Sequence, residues 1–133
     1  MPLKAIRLEL ARDPDHPQGS SQFGYEFLAP IDEDGHIDAD AWRENRKSCR
    51  VWRFWAGEDD EYGHLVHTRS GSWAFHYDIA GDPDEDEAGF RFDSHRFTEG
   101  EYVSLREQDG ELRTLRVVSI RPAITSRLAV APT

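Results

Sequence analysis

Cysteine is almost missing from this chain, which has one, Cys49, in 133 residues. A single thiol excludes an internal disulfide and any metal site built from clustered cysteines, and it fits a reducing compartment. Lysine is nearly as rare: of 16 basic residues only Lys4 and Lys47 are Lys, the rest Arg. That bias is associated with GC-rich bacterial genomes and sets an expected bacterial origin without touching function. No apolar run approaches the ~20 residues of a membrane-crossing helix. Met1 to Leu10 alternates charged and aliphatic residues, unlike a signal peptide, so a soluble cytoplasmic protein is expected. Gly-x-Gly-x-x-Gly, P-loop and Gly-x-Ser-x-Gly patterns are absent, which removes glycine-rich nucleotide cradles and the nucleophile elbow from consideration. Positive charge is also short. The formal net charge of −10 makes a nucleic-acid backbone or an anionic membrane a poor partner, although Arg106, Arg113, Arg116, Arg121 and Arg127 leave the last third least acidic.

Aromatic residues, by contrast, are plentiful: four Trp, seven Phe and four Tyr. Such a set implies a folded core built largely from rings. The length suits one domain able to bury that core without disulfide, metal or cofactor. Residues 1–122 are expected to form this domain, and 123–133 a C-terminal tail or an edge strand through Leu128 to Val130.

The clearest local signal is the segment from Glu101 to Ile120. Gln108-Asp109-Gly110 reads as a three-residue hairpin loop with glycine at the position that needs positive φ. Glu107 then lies opposite Glu111, Leu105 opposite Arg113, Val103 opposite Leu115 and Glu101 opposite Val117. Val103, Leu105, Leu115 and Val117 share one face in this register, whereas a two-residue Asp-Gly turn would split them between faces. Arg69-Ser70-Gly71 gives a second hairpin of the same kind, pairing Leu65 with Phe75, His67 with Trp73 and His64 with His76.

Further strands are expected at Lys4–Leu10, Tyr25–Ala29, Val51–Trp55 and Gly89–Phe92. Asp13–Ser21 reads as a long irregular loop. One helix is expected over about 38–49, with Asp38 as N-cap, Ile37 and Trp42 as a hydrophobic staple, and Trp42, Asn45 and Cys49 on one face. The sum is a mainly β chain: an antiparallel, strongly bent sheet or small partly open barrel of about 6–8 strands with one helix. Val117 beside Val118, and Trp52 and Phe54 beside Trp55, require cover on both faces of parts of that sheet.

Four groups of residues bear on function. His64 and His76, as cross-strand neighbours with Cβ atoms about 5 Å apart, are placed to share a divalent metal, with Asp78 or His95 as third ligand. Asp82-Pro-Asp84-Glu-Asp86 places carboxylates like the start of an EF-hand loop, but Glu87 stands where that loop needs glycine and strands flank it, so a solvated acidic loop is expected. Cys49 has Lys47 and Arg50 nearby, yet helical spacing buries it. Trp52, Phe54, Trp55, Trp73, Phe75 and Tyr77 exceed the strict need of a small core and, with His67, offer an aromatic groove for a protein or small ligand. The expected function is a non-enzymatic binding module using that groove, at Trp52, Trp55, Trp73 and His67, or a sheet edge. The alternatives are a metal-dependent enzyme at His64 and His76, and an acidic DNA mimic built on the carboxylates at 58–61 and 82–87.

Overall fold

The computed structural model describes residues 2–69, 71–77, 87–90, 96–107 and 110–129. Among these the elements run β1 (Leu3–Leu10), β2 (Ser20–Pro30), α1 (Ala39–Glu44), β3 (Arg50–Trp55), β4 (Glu61–His67), β5 (Trp73–Tyr77), β6 (Glu87–Phe90), β7 (Tyr102–Arg106) and β8 (Leu112–Pro122). Short 3-10 turns follow α1 at Arg46–Ser48 and β8 at Ala123–Thr125 and Arg127–Ala129. Each strand pairs antiparallel with the next in a strongly curled sheet, and β8 returns to pair with β1, so the described strands close into a barrel.

This is the strongly bent antiparallel sheet the sequence suggests, and its curl around β1 depends on irregularities in the two strands that flank it, β2 and β8. The register shifts between Glu9 and Leu10 against β2, and between Arg7 and Leu8 against β8. The residue left over in β8 is Val118, and an extra residue of this kind bends the strand that carries it and raises its twist, which lets β8 curl round onto β1. The first shift also pairs Leu10 with Ser20, so β2 begins inside the segment expected as loop.

Period-two alternation sorts the side chains. Ile6, Leu8, Tyr25, Phe27, Val51, Leu65, Phe75, Tyr77, Val103, Leu105, Leu115 and Val117 are fully or almost fully buried in one cluster. The registers expected for both hairpins are those found: Leu105 opposite Arg113 and Val103 opposite Leu115, Leu65 opposite Phe75 and His64 opposite His76. Gly110 at φ 85° and Gly71 at φ 90° take the left-handed conformation the loops require.

The helix caps one end of the barrel and is shorter than expected. Asp38 accepts from the Ala41 amide at 2.9 Å as N-cap, and Ile37, Trp42 and Cys49 join the core cluster. At Asn45 the side-chain amide donates to the Ala41 carbonyl at 2.8 Å, the acceptor its own backbone N–H would use. That N–H turns instead to Trp42 O, and the chain continues as a 3-10 turn. A side chain competing for the backbone in this way ends α-helices.

Through Ala129 the C-terminal segment forms two 3-10 turns on the outside of the barrel, with Leu128 buried; residues 130–133 lie outside the described residues. Ala5, Leu28 and Leu128 form a second small cluster, with Leu3, Trp52, Tyr62 and Ala123 packed against it. This is the outer cover that the two-faced apolar strands demanded.

At Gly63 the backbones of β4 and β5 come so close that an added Cβ would press on the His76 carbonyl oxygen and sit 2.7 Å from Tyr77 Cα. Gly63→Ala is therefore expected to destabilise the protein by about 1–3 kcal/mol, the usual range for overpacking, read as a lowered midpoint in urea unfolding at unchanged slope.

Candidate functional site

The tryptophans expected to form one groove occupy three separate places. Trp73 is buried at the barrel end capped by α1, stacked on His67 with centroids 4.2 Å apart and planes at 20°. Trp42 meets both rings edge-on, at 5.3 Å from Trp73 and 5.9 Å from His67. The Trp42 indole N–H donates to Leu65 O at 2.9 Å, and His67 Nε2 lies 3.1 Å from Gly71 O. These rings hold the helix on the barrel end, and Trp73 has almost no surface to offer.

Trp55 lies at the opposite end, where β3 stops and β4 starts. Arg53, one inward position before it, is 6% exposed, and its Nη2 donates to Glu107 Oε2 at 2.8 Å across the barrel. Glu107 Oε1 in turn accepts from Arg113 Nε at 2.9 Å, and Arg53 Nη1 reaches Glu58 at 3.1 Å and Glu61 at 3.6 Å. Both guanidiniums face the Trp55 ring, at 4.6 Å for Arg53 and 5.8 Å for Arg113. Burial works against the Arg53 charge, but hydrogen bonds to Glu107 and Tyr25 outweigh it and hold the group protonated more firmly than usual. This ionic plug, absent from the sequence-based expectations, fills the barrel end with paired charge.

The third place is the outer face of β1–β4. Trp52 and Tyr62, adjacent across the β3–β4 pair, are half-buried and stack at 6.5 Å with planes at 8°. Phe54 continues the row at 4.8 Å from Trp52, its ring lying over Gly24. Cations flank the row: Arg7 sits over Phe54 at 4.3 Å, and Arg127 over Trp52 at 3.9 Å. Arg7 is itself tied to Glu9 at 2.8 Å and Glu26 at 3.4 Å. The Trp52 indole N–H donates to Asp60 at 3.0 Å, Arg127 donates to the Tyr62 hydroxyl at 3.2 Å, and the Ser126 hydroxyl donates to Glu26. A groove of about 380 Å³ continues beside the C-terminal turns, lined among others by Arg7, Glu26, Ser119, Arg121 and Ser126.

Besides the Ser126–Glu26 hydrogen bond, two side chains fasten those turns to the face. Burying Leu128 contributes about 1.5–3 kcal/mol, and stacking of a largely exposed Arg127 about 0.5–1 kcal/mol. The conformational entropy of an ordered terminal segment opposes both.

His64 and His76 are direct cross-strand partners, the geometry the metal expectation needs. Its proposed third ligands, Asp78 and His95, lie outside the described residues, as do the acidic loop 82–86 and the carboxylates a DNA mimic would draw from it. Among the described residues, the three side chains whose ligand atoms come within 4.8 Å of one another are Asp32, Asp34 and His36. Their Asp-x-Asp-x-His spacing was visible in the sequence. In the structure Asp32 already accepts from the Asp34 and His36 amides at 2.9 and 3.0 Å, so this group reads first as a turn. Cys49 is fully buried, and burial pushes its thiol up to about 12, which leaves it no thiolate for nucleophilic work. No helix among the described residues is long and apolar enough to cross a membrane. No protein-family model matches the chain, and no curated protein or solved structure does.

Breaking one half of the ionic plug strands the other half's charge. Glu107→Ala is expected to lower stability by about 3–5 kcal/mol, whereas Arg53→Met combined with Glu107→Leu stays within about 1 kcal/mol of wild type or exceeds it. Denaturant unfolding of the two variants side by side distinguishes a structural plug from an incidental contact.

Proposed function

We propose that the protein is a non-enzymatic binding module whose contact surface is the outer pair Trp52 and Tyr62, with the buried Phe54 beneath Arg7 at its margin. The observation that carries this is the parallel stack of Trp52 on Tyr62 on the outside of a barrel whose interior other rings already fill. Part of this ring area packs on the outer cluster of Ala5, Leu28 and Leu128, and the half-buried rings keep the remainder facing outward. Flat amphipathic rings give large contact area for little lost entropy, and their polar edges take hydrogen bonds. Closure of the barrel removes a free edge from the described strands, so strand addition is the weaker of the two binding modes the sequence suggested. Of the four residues expected to line a groove, Trp52 belongs to this surface, while Trp55, Trp73 and His67 serve the barrel ends.

A metal site at His64 and His76 is a second reading, favoured by their cross-strand register alone. Among the described residues no third ligand joins them.

A random-peptide display library selected on the immobilised full chain tests the main reading. Selected sequences are expected to lose at least about tenfold in affinity on Trp52→Ala, the loss typical of an aromatic hot spot, with far-UV dichroism confirming that the variant folds. Undiminished binding to Trp52→Ala, or no enrichment at all, contradicts it.

A further inference from the structure

The chain itself already places a peptide on the proposed surface. Residues 123–129 leave β8 and cross to β3 and β4, where three consecutive side chains make three kinds of contact. Ser126 hydrogen-bonds Glu26, Arg127 lies over Trp52 at 3.9 Å and reaches the Tyr62 hydroxyl, and Leu128 enters the seat formed by Ala5 and Leu28. A carboxylate, an aromatic platform and an apolar seat thus follow one another at the spacing of adjacent residues. Asp60 stands beside the platform, hydrogen-bonded to the Trp52 indole, and the chain's net charge of −10 draws basic partners toward it.

We propose that segment 123–129 is an intramolecular occupant of this face, and that the partner is a basic peptide segment carrying Arg followed by an aliphatic residue, which displaces it. The proposal rests on the binding-module reading and names its ligand class. The tethered segment competes with any incoming peptide, so the free face is available only to a partner that outcompetes it or after the segment is released. Ile124, 86% exposed, lies on the segment's outer side and adds nothing to the docking, which leaves Ser126, Arg127 and Leu128 as the anchors.

The test uses the full chain and the acetylated, amidated synthetic peptide of residues 122–129, titrated by calorimetry. Leu128→Asp places a carboxylate in the apolar seat and releases the segment. The peptide is expected to bind Leu128→Asp at least about tenfold more tightly than wild type, where the tethered copy competes at an effective concentration in the millimolar range. Adding Trp52→Ala to Leu128→Asp, or replacing the peptide's Arg and Leu by Ala, is expected to remove that binding. If Leu128→Asp does not fold, Arg127→Ala removes the aromatic-platform contact and takes its place. Equal binding to wild type and the released variant, no binding to a folded released variant at millimolar peptide, or binding that survives Trp52→Ala overturns the proposal. So does a wild-type dimer, seen by light scattering, that Leu128→Asp dissolves, since the face then belongs to a second copy. A display library that enriches Trp52-dependent ligands while the segment peptide fails removes this inference and leaves the binding-module reading standing.

Discussion

The pairing of β8 with β1 is the constraint on which the remaining structure depends. Ile6 is flanked by Phe27 on one side and Ile120 on the other, and Leu8 by Tyr25 and Val117. A sheet that closes in this way acquires an inside too narrow for anything but side chains. Every strand must then declare which alternate residues go in. The rings that go in make the core, and those that stay out must be covered or used. Trp52 and Tyr62 stay out.

Closure also sets the chemistry of the two barrel ends. At one, α1 brings Trp42 over Trp73 and His67, so aromatic packing closes the barrel. At the other, inward positions of β3 and β8, and Glu107 just past β7, are charged, and Arg53, Glu107 and Arg113 close it with a network anchored on Trp55. A buried ion pair of this kind adds little net stability over an apolar filling but is costly to break in half. Its value lies in fixing which residues of β3 and β7, four strands apart in a ring of eight, face each other across the barrel.

Local chemistry made much of this legible in the sequence. Both hairpin registers follow from a glycine at the third loop position and from keeping apolar residues on one face, and neither needs knowledge of the rest of the chain. Asp38 as cap is legible for the same reason, whereas the early end of α1 is not, since it turns on where the Asn45 side chain points. The hairpin register even implies that Glu107 and Arg113 face inward with Leu105. What it cannot supply is Arg53, 54 residues away from Glu107, because their meeting is a product of closure. The same gap explains the tryptophans: their number signals more rings than a core needs, but only the closed barrel decides that Trp73 is core, Trp55 is part of the ionic plug and Trp52 is surface. That the C-terminal residues would supply the cover depends on where β8 ends relative to β3, again a consequence of the ring.

Native-state hydrogen exchange followed residue by residue tests the account most directly, because it separates the ring from its cover. The amides that join β1 to β8, such as that of Ala11, which donates to Thr114 O at 3.0 Å, are expected to exchange only through global unfolding, with opening free energies equal to the total stability. The Leu128 amide, bonded to the Ser126 hydroxyl, is expected to open at far lower cost and independently of the barrel, as a small separate unit does. Exchange of the β1–β8 amides as fast as that of Leu128 would contradict closure, and Leu128 protection equal to that of the barrel would contradict a displaceable cover.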